Sequence, residues 1–194
     1  MKYLCQLDYP DMRYPTNMGT DDPSPNSTIK TSGCGLCSAC MVAELLTDKT
    51  FTLEEAEALS EQVEANHRRG TDMLRFAPAF AERMGLTWVK SNDLSEAIAH
   101  LQKGGKIITH VGIPEGATTG LFTKGGHYMV LLDTDGENFT ILDPSYKIDK
   151  FDIPERQGRV DTRNAPFLRC PVETLHSETK PGKIKYHLFA RKMG

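Results

Sequence analysis

The stretch Thr31-Ser32-Gly33-Cys34-Gly35-Leu36-Cys37-Ser38-Ala39-Cys40-Met41-Val42 decides how this chain is read. It places thiols and small residues directly ahead of Met41, Val42, Leu45 and Leu46, an apolar series at helical spacing. A cysteine at the entry to a helix lies beside backbone N–H groups that lack an intrahelical acceptor, at the positive end of the helix dipole. Both favour thiolate over thiol. A thiolate nucleophile needs a proton acceptor, and the acceptor needs a group to orient it. Downstream, Gly125-Gly126-His127-Tyr128-Met129-Val130 and then Asp143-Pro144 offer such a pair.

Outward from this stretch the pattern is helical on one side and strand-like on the other. Tyr3 to Leu7 alternates as a short opening strand, and Tyr9 to Lys30 is rich in Pro, Asp, Asn, Ser and Thr, the chemistry of a long loop that shapes a cleft. Ser38 to Leu46 reads as the first helix. Thr52 and Glu55 form a capping box that opens a second, through about Asn66. Asp72 caps a third helix, Met73 to Met84, which Gly85 ends and Pro78 is expected to kink. Leu86 to Val89 is a short strand, and Asp93 or Ser91 starts a fourth helix that ends near Lys103. Then the period changes. Lys106 to Val111, His127 to Leu132 and Asn138 to Leu142 read as strands, with Asp135-Gly136 at a hairpin turn. Residues from about 147 to 183 look irregular, and Tyr186 to Ala190 closes the chain as a strand. The expectation is one α+β domain over residues 1–194. It has an N-terminal strand and loop (about 1–30), a helical half (about 31–103) and a sheet half (about 104–194), the helical half packed on a twisted antiparallel sheet.

Composition narrows the function. At 194 residues and 39% apolar, the chain is long enough to bury a full core. A net charge of −3, with no basic stripe or tail, points away from nucleic acid and from an anionic membrane as partners. The N-terminus turns polar too soon for a signal peptide, and no apolar run approaches spanning length, so a cytoplasmic location is expected. Five cysteines, three of them within seven residues, make a poor disulfide framework and read as free thiols.

A hairpin brings the start of one strand beside the end of the next, so His127 and Asp143 can be adjacent, and Cys34 can meet them where helices face sheet. Taken alone, the residues leave ordinary alternatives open: a core thiol, an unremarkable histidine, an Asp-Pro turn. Gly33-Cys34-Gly35 with its helix, Gly-His-Tyr-Met-Val-Leu-Leu at 126–132 and Ile141-Leu142-Asp143-Pro144 resemble, in that order, the C39-like branch of the papain-like cysteine peptidases. The double-glycine peptidases are related to that branch. The resemblance spans about residues 3 to 145. It implies a papain-like fold and a Cys34, His127, Asp143 triad acting on an amide bond of a peptide or protein substrate through an acyl-enzyme, without a cofactor. It also implies an oxyanion hole made by the Cys34 N–H and Gln6, although Gln6 stands much further ahead of the nucleophile than usual. Asn17 and Asn26 are the alternatives. A papain-type reading would make Cys37 the nucleophile, but Ser38-Ala39 lacks the aromatic expected there. Cys37 and Cys40 are then packing residues.

Other readings of the same residues are an inactive relative that only binds and an acyltransferase or transpeptidase using the same triad. The Cys34, Cys37, Cys40 spacing with Cys170-Pro171 also suggests an iron–sulfur site, but a helix running through the third ligand argues against that. Gly125-Gly126 is read as backbone room for a substrate or a tight turn, and Glu54 to Glu57 and His67 to Arg69 as solvated helix faces.

Overall fold

A computed structural model of the chain describes residues 2–16, 27–67 and 69–192. Its elements are α1 (Ile29–Ser32), α2 (Cys34–Leu46), α3 (Leu53–Gln62), α4 (Met73–Met84), β1 (Leu86–Ser91), α5 (Leu94–Gln102), β2 (Lys106–Val111), β3 (His127–Thr134), β4 (Asn138–Leu142), β5 (Phe167–Pro171), α6 (Val172–Ser177) and β6 (Tyr186–Arg191). The strands form one antiparallel sheet in the order β1-β6-β2-β3-β4-β5. The architecture is α+β, with helices packed on a six-stranded sheet.

Strand alternation divides the core between the two faces of the sheet. Ile108, Val130, Leu142 and Phe189 point toward α2, α3 and α4. Ile107, Met129, Leu131 and Ile141 point the other way, toward α5, α6 and the buried Phe151 and Val160. Helix α2 is apolar nearly all round, with Cys34 to Ala43 buried without a break, so it is a core helix with no solvent face along that run. Local chemistry sets the other helix starts. The Thr52 and Glu55 box forms, Asp72 Oδ1 accepts from Leu74 N–H, and Asp93 Oδ1 accepts from Ser95 and Glu96 N–H. Gly85 ends α4 in the left-handed region at φ 72°. That helix runs unbroken through Pro78. The Leu74 carbonyl loses its donor there, at a position exposed to water.

Four expectations fail. Tyr3 to Leu7 forms no strand: its alternation finds no ladder partner, and residues 6–8 close a 3-10 turn. The second helix stops at Gln62, where Glu64 takes a positive φ of 54°. His67 and Arg69 therefore lie on a turn rather than a helix face. The irregular region contains β5 and α6. In β5 the inward residues are only Leu168 and Cys170, too short an alternation to stand out from its polar surroundings. No described helix is long and apolar enough to cross a membrane.

Candidate active site

Three local features bring the site together. First, α1 hands over to α2 at Gly33. A Cβ there would lie 2.7–2.8 Å from Ile29 atoms, two of them backbone, so only glycine lets the chain turn tightly enough to present Cys34 as the first residue of α2. Gly35 is equally constrained, since its Cβ would fall 2.9 Å from the Thr71 side chain. Second, β3 and β4 pair with Val130 opposite Leu142. Beyond that pair the start of β3 and the segment after β4 run on side by side at the end of the sheet, which sets His127 beside Asp143 and Ser145. Third, the N-terminal segment ties the Asp-Pro step down. Tyr3 Oη donates to the Asp143 carbonyl at 2.5 Å and Gln6 N–H donates to the Pro144 carbonyl at 2.7 Å.

Cys34, His127 and Asp143 converge as a result. His127 Nε2 lies 2.7 Å from Asp143 Oδ1, and the carboxyl group has no exposed surface. An ionised carboxylate only accepts, so Nε2 carries the proton and Nδ1 is left on the side of the Cys34 thiol, whose titration is linked to that of His127. Burial opposes ionisation of Cys34. The hydrogen bond and charge of His127, with the backbone of Tyr128 and Gly35, outweigh it and hold the thiol below its ordinary value. Burial likewise works against a charged His127, but the charge and hydrogen bond of Asp143, then those of Cys34, raise it. Cys37 and Cys40 show the contrast on the same helix, since burial pushes both thiols well up.

Gln6 reaches the same junction despite the long insertion. Its side-chain Nε2 donates to the Lys30 carbonyl at 2.8 Å, four positions ahead of Cys34, and its Oε1 is buried without a partner. One amide hydrogen remains uncommitted to Lys30. The alternatives Asn17 and Asn26 lie outside the described residues. Among the described residues, no group of three or more His, Cys, Asp or Glu side chains is arranged to hold a metal ion.

No family model matches the chain, and no curated protein does. Solved structures do. The peptidase domain of Streptococcus ComA, a bifunctional ABC transporter involved in a quorum-sensing pathway, superposes with a TM-score of 0.54 at 16% identity, over 93% of this chain and 100% of that domain. A putative C39-like peptidase from Bacillus anthracis superposes with a TM-score of 0.57 at 10% identity, over 100% of each chain. The chain has the fold of the C39 peptidases.

Within this C39 fold, the most consequential residue that sequence reasoning missed is Lys150. Its ammonium, 5% exposed, sits 2.5 Å from Asp143 Oδ2 and donates to Ser145 Oγ at 2.7 Å. Ser145 completes the shell. Its N–H and hydroxyl both donate to Asp143 Oδ1, at 2.8 and 3.1 Å, and its Oγ is 3.1 Å from His127 Nε2. Burial alone would raise the Asp143 pKa. The charge of Lys150, ahead of that of His127, instead holds the carboxyl far below the usual carboxylate range. The loop chemistry of residues 144–150 carried no spacing signal for this.

Cys34 opens on a cleft of about 510 Å³. One wall is the turn from Gly70 into α4, and the other is Gly125, Gly126, Tyr128, His110 and the segment from Lys180 to Ile184. Arg69, expected on a solvated helix face, lines it as well. His110 stacks on Tyr128 at 4.4 Å between ring centres.

Proposed function

We propose that the chain is a cysteine hydrolase that cleaves an amide bond of a peptide or protein, with Cys34 as nucleophile, His127 as general base and acid, and Asp143 orienting His127. The observation that carries this reading is the His127 imidazole bonded at 2.7 Å to a buried carboxylate held ionised, with a thiol that His127 holds below its ordinary pKa. The C39 fold supports a peptide as the substrate class.

The chemistry follows from these roles. The Cys34 proton passes to His127 Nδ1, and the thiolate adds to the scissile carbonyl carbon. The negative charge on the carbonyl oxygen is met by the Cys34 N–H, one of the donors a helix start leaves unpaired, and by the remaining Gln6 amide hydrogen. As the C–N bond breaks, the imidazolium returns its proton to the leaving amine. Water, deprotonated by the same Nδ1, then attacks the thioester, and the carboxylic product leaves with the thiol restored. Throughout, Nε2–H stays on Asp143, which fixes the tautomer that keeps Nδ1 basic.

The test compares the native chain with Cys34→Ala and Cys37→Ala. Rapid iodoacetamide labelling near neutral pH and cleavage of a peptide library are expected for the native chain and for Cys37→Ala, and neither for Cys34→Ala. A native thiol at position 34 that reacts no faster than free cysteine refutes the hydrolase reading and leaves an inactive binding module. Loss of labelling and cleavage in Cys37→Ala alone moves the nucleophile to Cys37.

A further inference from the structure

The cleft beside Cys34 is basic on a chain whose net charge is −3. Among the described lining residues Lys180 and Lys183 supply its cations, while Arg69 and Asp72, which also line it, each have partners of their own. Its two imidazoles add no charge near neutral pH. Burial, then Lys180 and Lys183, lower His110 to about 4, and burial, then His110 and Lys90, lower His187 to about 3.

Lys180 is placed by the fold rather than left free to swing. The segment that carries it is stitched to the end of β2, with His110 N–H donating to the Lys185 carbonyl at 2.9 Å, Lys180 N–H to the His110 carbonyl at 3.2 Å and Gly112 N–H to the Glu178 carbonyl at 2.8 Å. The start of its side chain lies over Gly112, where a Cβ would come within 3.0 Å of Lys180 Cβ and Cγ. Its ammonium lies 3.5 Å from the point a Gly126 Cβ would occupy, one residue from His127. Glycine at 126 thus leaves the cleft open on the side where this charge is fixed. Among the described residues, neither Lys180 nor Lys183 is paired with a carboxylate. A fixed ammonium with no counter-ion, in the wall of a reactive cleft, is a recognition element for a ligand anion.

We infer that the cleft takes a peptide carrying a carboxylate close to the bond presented to Cys34, and that Lys180 and Lys183 read that carboxylate. The inference rests on Cys34 being the reactive centre. The carboxylate can come from an acidic side chain or from a free chain terminus, and the two are separable.

The experiment has two arms, each run on the full chain and on its Lys180→Gln/Lys183→Gln double variant. In the first, alkylation of Cys34 is timed near neutral pH and low salt with iodoacetate and with iodoacetamide, the site being assigned by peptide mass mapping. Both reagents consume the same thiolate, so the ratio of their rate constants isolates the charge of the cleft. Two ammoniums lining the same cleft as Cys34 are expected to make that ratio about fivefold higher in the native chain, and about 0.5 M salt to erase most of the difference. A ratio that the double substitution leaves unchanged overturns the proposal, whether or not the chain hydrolyses anything. In the second arm, three peptide pools are digested: internal Glu with amidated ends, internal Gln with amidated ends, and internal Gln with a free carboxyl terminus. Preference for the first assigns an acidic side chain and preference for the third a chain terminus, and in either case the double variant loses the preference. Equal cleavage of all three overturns the inference. A shifted alkylation ratio with no pool cleaved leaves the anion-binding cleft standing and refutes the hydrolase reading instead.

Discussion

Replacing Lys150 with Met tests whether the site depends on the buried ion pair behind it. Methionine keeps the unbranched four-atom stem and removes the ammonium, which leaves Asp143 Oδ2 without its partner at a position with no exposed surface. Oδ1 keeps His127 Nε2 and the two donors of Ser145, so the carboxylate is under-satisfied rather than abandoned. At 2.5 Å the gross attraction is large, but part of it only offsets the cost of taking both charges out of water. Removing one partner of such a pair costs about 3–5 kcal/mol. In a domain of this size each kcal/mol is worth about 2–4 °C, so Tm is expected to fall by roughly 6–20 °C.

The pH dependence gives a second readout that simple loss of packing would not move. Asp143 is depressed from its ordinary 3.8, because Lys150 and His127 override burial. A carboxyl with a lowered folded pKa contributes stability that is fully present above the unfolded value and is lost as pH falls through the folded one. Without Lys150 the carboxyl protonates at higher pH. The acid unfolding midpoint and the acid limb of Cys34 alkylation should therefore both move upward. Urea unfolding of Lys150→Met, Asp143→Asn and the double variant closes the cycle. The double variant is expected to recover at least half of the Lys150→Met loss, since the stranded charge is gone. A Tm change under about 2 °C in Lys150→Met, with additive single and double effects and an unmoved acid limb, refutes the reasoning.

Two further substitutions check local arguments. Gly35→Ala sets a Cβ 2.9 Å from the Thr71 side chain at the mouth of the cleft, and is expected to cost about 1–3 kcal/mol and to slow Cys34 alkylation; a thermal melt and a labelling rate that both match the native chain refute the close fit. Thr52→Ala removes the acceptor of Glu55 N–H at 3.2 Å, and is expected to cost about 1 kcal/mol by urea unfolding while leaving Cys34 alkylation at the native rate.

How far the sequence carried the reading depended on the range of the physics involved. The starts of α3 and α4 were readable because Thr52, Glu55 and Asp72 act within one turn of themselves, and Gly85 because a positive φ is a property of one residue. Gly33 belongs to the same class, since Ile29, which crowds it, is one turn away, whereas Gly35 is constrained by Thr71, a neighbour only in space. Tyr3 to Leu7 failed for the opposite reason. Alternation proposes a strand, but only a neighbouring edge makes one, and this segment instead docks through two hydrogen bonds onto the Asp143-Pro144 step. His127 and Asp143 could be paired from the hairpin alone, yet their shared face depends on a break in pairing between Leu131 and Asp133. A one-residue slip there reverses every inward side chain, and nothing near Leu132 announces it. Lys150, Lys180 and Arg69 lie beyond that again. Each sits in polar sequence that reads as a solvated loop or helix face, and each gains its place only when a loop returns to the sheet end or to the mouth of α4. The thiol and imidazole of the candidate site were thus marked locally, while the charges around them were encoded in the path of the loops. A search for function in this fold therefore has to begin at the candidate nucleophile and end at residues whose own neighbourhood in sequence is silent.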